Sequence, residues 1–194
     1  MEKLVKLKDD TEVLIRPIRD DDLDKSFAFF RALPEEDRLF LRVDVSKREV
    51  VEQRIKQATS GSGRRLVAIH RDQIVADGTL ELEGHGWKEH VGELRLIVAR
   101  PYQRKGLGTL MARELYTIAA SLKVEEIVVK MMRPQLGARN IFRKLGFQEM
   151  VMLPEYVKDL HGTKQDLIVM RCDLASLWRE MEDLVILSDW RRNR

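Results

Sequence analysis

Gln103-Arg104-Lys105-Gly106-Leu107-Gly108-Thr109 stands between an apolar run at residues 94–99 and a helical pattern over residues 108–122. The two glycines flank one apolar residue, so the backbone can turn tightly and a ligand can come close to its N–H groups. The first N–H groups of a helix have no partner within it, and they carry the positive end of the helix dipole. Gln103, Arg104 and Lys105 add donors and charge. Strand, glycine turn and helix start, in that order, make a cradle for an anion of phosphate or pyrophosphate size. The turn is not a Walker loop, since no Lys-Ser/Thr pair follows its second glycine. It is not a dinucleotide fingerprint, since Met111 stands at the third glycine position.

Upstream of the turn, residues 65–70 and 73–82 read as strands joined at Arg71-Asp72, and residues 11–18 as an earlier strand interrupted by Pro17. Asp20, Asp21, Asp22 and Asp24 cluster at the head of the apolar run Leu23, Phe27, Phe29, Phe30 and Leu33, which marks a helix start. Ser46-Lys47-Arg48-Glu49 has the form of a capping box and predicts a second helix to about residue 58. Downstream, residues 126–131 read as a strand, and a short helix follows Pro134 and stops before Gly146. Residues 147–153 and 165–172 read as two closing strands around a loop at 154–164. Leu110, Leu115, Ile118 and Leu122 are the expected buried stripe of the 108–122 helix. Leu174, Leu177, Trp178, Met181, Leu184 and Val185 recur at helical spacing, so the chain is expected to end on an amphipathic helix, packed within the chain or used as a homodimer contact. Hairpins followed by β-α-β crossovers predict an α/β fold with a mixed sheet.

The chain has 194 residues, enough for one domain with a substantial core. Its 35 Lys and Arg stand against 32 Asp and Glu, and the two signs are mixed along the chain. That distribution lacks the basic stripe of a nucleic-acid binder. Cys172 is the one cysteine, so no disulfide can form within the chain, and its apolar surroundings make it a small core residue. The four histidines have no metal-ligand spacing, so no metal is expected. The start of the chain lacks a signal-peptide pattern and no stretch has the length of a membrane span. A cytoplasmic protein with no membrane partner is the expectation.

The element order, with an anion turn after the fourth strand, resembles the GNAT superfamily of acetyl-CoA-dependent N-acetyltransferases. Gln103 to Gly108 fits the family's Q/R-x-x-G-x-G/A motif, residues 94–99 fit the strand before it, and Ala138-Arg139-Asn140-Ile141-Phe142-Arg143-Lys144-Leu145-Gly146-Phe147 fits a later block. Ile15-Arg16-Pro17-Ile18-Arg19 with Asp22, and Arg38-Leu39-Phe40-Leu41-Arg42, resemble the acetyltransferase domain of bacterial Pat-type protein lysine acetyltransferases. The resemblance implies a mixed, mostly antiparallel sheet of six to seven strands, splayed between strands four and five, with about four flanking helices. It implies one acetyltransferase domain over residues 11–173, with residues 174–194 as the terminal helix and basic tail. It implies acetyl-CoA as co-substrate and an amine acceptor as partner. The pyrophosphate would sit on Arg104, Lys105, Gly106, Leu107, Gly108 and Thr109, beside Gln103. The pantetheine arm would pair like an extra strand along Leu96, Ile97 and Val98, with the Val98 N–H aimed at the thioester carbonyl.

Amine acetylation needs a neutral amine, and a lysine ammonium titrates near 10.4, so a nearby carboxylate must take a proton. Glu93, at the start of the fourth strand, matches the position of a glutamate base in the relatives. Glu81 and Glu83 share one strand face by alternation and are its reserves. Phe142 stands where many relatives place a tyrosine acid, and Gln135 where they place a pantetheine-binding asparagine. A thiolate leaves tolerably without a protein acid; Tyr156, in the expected 154–164 loop, is the substitute. Tyr102, the Met131-Met132 pair and Trp87 are read as packing. The function expected is direct acetyl transfer from acetyl-CoA to a primary amine, with protein lysine favoured by the Pat-like segments. The alternative is a catalytically weak CoA-binding regulatory module.

Overall fold

The structure, a computed structural model, describes residues 2–59, 63–82 and 86–174. Its strands are β1 (Lys3–Lys6), β2 (Glu12–Pro17), β3 (Gly63–His70), β4 (Gln73–Leu82), β5 (Val91–Val98), β6 (Glu126–Met132), β7 (Gln148–Lys158) and β8 (Lys164–Asp173). Its helices are α1 (Leu23–Ala32), α2 (Glu35–Arg38), α3 (Arg48–Thr59), α4 (Leu107–Ser121) and α5 (Leu136–Lys144). The strands form one sheet in the order β1-β2-β3-β4-β5-β6-β8-β7. Every neighbouring pair is antiparallel except β5–β6, which α4 joins as a parallel crossover. The fold is the α/β GNAT architecture, with β1 as one strand more than expected. The sheet thus takes in Lys3–Lys6, ahead of residue 11.

Alternation along the strands sorts the core into two faces. Leu66, Leu80, Leu94 and Ile127 turn to the side covered by α4 and α5, where Leu107, Met111, Leu115 and Phe142 meet them. Val67, Ile74 and Ile97 turn to the side covered by α1 and α3, where they meet Phe29, Phe30, Val51 and Ile55. The buried stripe of α4 is Leu107, Met111, Leu115 and Ala119; Leu122, expected on it, is exposed. The hairpin turn at Arg71 and Asp72 has positive φ at both residues, 48° and 62°, as a tight two-residue connection requires.

Three further expectations are corrected. The Ser46 hydroxyl donates to Asp44 Oδ1 at 2.5 Å and does not close a capping box on α3. β7 continues past Leu153 to Lys158, with an irregular register between Leu153 and Val157 that absorbs Pro154, so Tyr156 lies on a strand and not in a loop. Trp87 is 89% exposed and is not packed into the core of the described residues. Glu83 and the expected C-terminal helix, apart from Leu174, lie outside the described residues.

Candidate active site

β5 and β6 are paired at only three rungs, Val91↔Glu126, Gly92↔Ile127 and Glu93↔Val128. Beyond Glu93 the strands part, although β5 runs on to Val98 and β6 to Met132. A cleft opens there, walled by Leu94, Arg95, Leu96 and Ile97 on one side and Val129, Lys130 and Met131 on the other.

The ladder register decides which backbone groups face this gap. The N–H of Ala99 donates to Val75 O at 2.9 Å, and Val98 stands opposite Ala76. Hydrogen-bonded pairs alternate in an antiparallel ladder, so Arg95 and Ile97 spend their backbone groups on β4. Leu96 and Val98 turn theirs to the gap. The Val98 carbonyl is already taken, since Gln103 Nε2 donates to it at 2.8 Å. Ile97, expected to pair with a pantetheine arm, therefore has its N–H directed the other way.

At the wide end of the gap stands the start of α4. Gly106 caps it with φ at +91° and Arg104 sits at φ +60°; no side chain caps the helix. The N–H groups of Leu107, Gly108 and Thr109 are the orphans of the first turn. The helix end packs on β5 at Gly108, where a Cβ would meet Leu96 at 3.6 Å and Val98 at 3.7 Å, ordinary contact distances. Arg104 is exposed, while Lys105 is paired with Asp9 at 2.8 Å. That hydrogen bond holds the Asp9 carboxyl down to about 2.

Glu93 stands at the narrow end, on the last rung. Lys130 Nζ donates to its Oε2 at 2.8 Å, Arg42 pairs with its Oε1, and Arg95 Nε is 3.6 Å from the same oxygen. Burial pushes the Glu93 carboxyl up, but the Lys130 hydrogen bond and the Arg42 charge outweigh it and hold the group below its ordinary value. Arg42, Arg95 and Lys130 line the cleft itself, whereas Glu93 opens onto an adjoining recess with Glu81, His90 and Lys130. Glu81 is bound to Arg95 at 2.6 Å. Val98 lies five positions along the strand from Glu93, about 17 Å at the usual rise, and Leu96 three positions, about 10 Å.

The remaining expected residues fall as follows. Gln135 lines the cleft, and its Oε1 accepts from the Met132 N–H at 2.8 Å. Phe142 is buried edge-on against Phe147, a core ring at the cleft floor. Tyr102 packs against His70, Cys172 is buried, and Met131 and Met132 are buried. Asp22 forms a buried bidentate pair with Arg16, at 2.6 and 2.7 Å, so this part of the Pat-like segment ties β2 to α1. The other part, Phe40-Leu41-Arg42, lines the cleft. Sequence reasoning missed Lys130 as a site residue; its signal was a lone cation in the otherwise apolar run Ile127 to Met132. Among the described residues no group of three or more His, Cys, Asp or Glu is placed to hold a metal. No helix of the described residues is long and apolar enough to cross a membrane.

Residues 12–148 match the acetyltransferase (GNAT) domain family. The chain belongs to that family, and is an acyltransferase that uses acetyl-CoA as co-substrate. It is similar to an acetyltransferase of GNAT family from Streptococcus pneumoniae, with 21% identity, a TM-score of 0.71, and coverage of 83% of this chain and 98% of that one. It is similar to a ribosomal-protein-alanine N-acetyltransferase from Brucella melitensis, with 21% identity, a TM-score of 0.70, and coverage of 82% and 98%. The GNAT domain of S. lividans PAT aligns at 14% identity with a TM-score of 0.74, covering 89% of this chain and 96% of that one. At these identities the likeness is one of fold. No curated protein matches the chain significantly.

Proposed function

We propose that the protein transfers acetyl from acetyl-CoA directly to a primary amine, with the thioester lodged in the β5–β6 gap. The observation that carries this reading is the parting of the two strands after Glu93↔Val128, which leaves the inward N–H groups of Leu96 and Val98 without β6 partners. Bound acetyl-CoA supplies an activated acyl group and a thiolate leaving group. The chain's own residues do the rest. The first-turn N–H groups of α4, with Arg104 and Gln103 beside them, suit the diphosphate. The Val98 N–H and the Leu96 carbonyl suit the amide groups of the arm.

Glu93 takes the acceptor proton, directly or through a water. Val98, at about 17 Å, is too far from it to act on the same carbonyl. Leu96 is the gap-facing donor nearer to Glu93, so the oxyanion role passes from Val98 to Leu96. Phe142 has no proton to give, and Tyr156 stands on β7 beside Gln135 and Lys130. Of the Pat-like segments that pointed to a protein lysine, Arg16 with Asp22 serves the fold, so they do not decide the acceptor.

One arrangement favours the regulatory alternative: Glu93 is clamped by cations and Phe142 is buried in the core. Both readings are separated by following free thiol with acetyl-CoA and an amine panel, for native protein and Glu93→Gln. Turnover lost in the variant at unchanged CoA affinity supports the enzyme. CoA binding with no thiol release from any acceptor supports the module.

A further inference from the structure

We infer that the acceptor is a small primary amine carrying an anionic group, and that Arg42 and Lys158 receive that group. The inference rests on the reading of the gap as the acetyl-CoA site. Beside the cleft lies a second, open recess, which shares Phe40, Arg42, Lys130, Met131 and Gln135 with it. The charged residues of its walls are Arg42, Lys130 and Lys158, and none of its lining residues is a carboxylate. Phe40, Met132 and Leu167 give it apolar patches, and Tyr156 places a phenol at its rim.

The balance of charge there is unequal. Lys130 and Arg42 share Glu93 as their carboxylate. Lys158 is exposed and has no ion pair among the described residues. An anion entering the recess meets a guanidinium with donors to spare and an ammonium with none of its donors committed to a carboxylate. An acceptor carrying a second cation would meet the same groups as repulsion. The reacting amine takes the Lys130 end of the recess, since Lys130 is the lining residue bonded to Glu93, at 2.8 Å. The site therefore selects a molecule with an amine at one end and a carboxylate, phosphonate or phosphate at the other.

Charge alone would also suit an acidic peptide. The turn after β7 argues for a small molecule. Leu160 N–H donates to Leu39 O at 3.3 Å, and His161 Nε2 lies 3.1 Å from Glu35 Oε1. These contacts tie the wall that carries Lys158 to the wall that carries Phe40 and Arg42. An extended chain crossing between the walls would have to break them.

The test pairs each acid with its uncharged derivative: L-amino acids against their amides, and 2-aminoethylphosphonate against its diethyl ester. A lysine peptide flanked by glutamates is the macromolecular arm. Thiol release gives kcat/KM, and calorimetry on the CoA-loaded protein gives acceptor affinity without turnover. The expected result is a preference for the acid of about tenfold or more at low salt, the scale of a charge-assisted contact, shrinking as salt screens it. Lys158→Glu collapses the acid-to-derivative ratio through KM, with CoA affinity unchanged. Equal kcat/KM and equal affinity within the pairs overturn the inference and leave acetyl transfer standing. A binding preference with no thiol release from any acceptor keeps the anion site and removes the transferase reading. A peptide that outperforms every small acid overturns the assignment to small molecules.

Discussion

Lys130 Nζ and Glu93 Oε2 lie 2.8 Å apart, one residue on each of the two strands that separate beyond this contact. The contact lies at the narrow end of the gap and places an ammonium beside the proposed base. It also helps hold down the carboxyl of Glu93, the proposed base. Glu93 is held below its ordinary value although burial works the other way, with Lys130 and Arg42 as the cause.

Lys130→Gln removes one of those cations, so the carboxyl of Glu93 rises. A group with a depressed folded pKa contributes stability above its unfolded pKa and loses it as pH falls through the folded value. The native acid limb of kcat/KM that belongs to Glu93 therefore lies below the ordinary 4.5, and in Lys130→Gln it moves up in pH. A pH–rate profile of both proteins with one acceptor reads the shift. An acid limb at the same pH in both would show that Lys130 does not tune Glu93.

Glu93→Gln keeps the shape of the side chain and removes its basicity. Thiol release falls by about 10²- to 10⁴-fold, the usual contribution of a general base, while CoA still binds. Measured at high pH, where more of the acceptor is already neutral, the deficit narrows. A deficit that stays constant with pH assigns Glu93 a positioning role only.

The two glycines of the turn separate by backbone conformation. Gly106 has φ at +91°, so Gly106→Ala costs about 1–2 kcal/mol and distorts the first turn that faces the diphosphate. Gly108 has ordinary helical geometry, and an added Cβ meets Leu96, Ile141 and Val98 at 3.6–3.7 Å, normal contact distances. Gly108→Ala is expected to be neutral or stabilising by up to about 1 kcal/mol. Thermal unfolding and CoA titration of the two variants give the comparison; equal losses in both contradict it.

Arg16 and Asp22 form a buried bidentate pair far from any ligand role. Burial pushes Asp22 up, but the Arg16 and Arg19 hydrogen bonds hold it below its ordinary value. Asp22→Ala leaves a buried guanidinium without its carboxylate, at a cost of about 3–5 kcal/mol. Denaturant unfolding shows the loss. Folded variant retains CoA affinity, and a selective fall in that affinity would move the pair into the site.

Much of this arrangement was legible in the sequence. The glycine turn, the strand before it and the helix after it were placed within a residue or two, because glycine spacing and apolar periodicity are local signals. β1 escaped notice because Lys3-Leu4-Val5-Lys6 is too short to show alternation. The strand continuation through Pro154 to Lys158 was hidden because a proline and an irregular register look like a loop. Glu93 could be named from its place on the strand. Its clamp could not, since Arg42 and Lys130 are 51 and 37 positions away and meet it only through the sheet.

The most direct test is amide hydrogen exchange with and without acetyl-CoA, resolved residue by residue along β5 and α4. The account predicts new protection at Leu96 and Val98, whose N–H groups face the gap, and at Leu107, Gly108 and Thr109. Ile97, already bonded to β4, should change little. Protection confined to other elements, or no change at Leu96 and Val98 while CoA is bound, contradicts it.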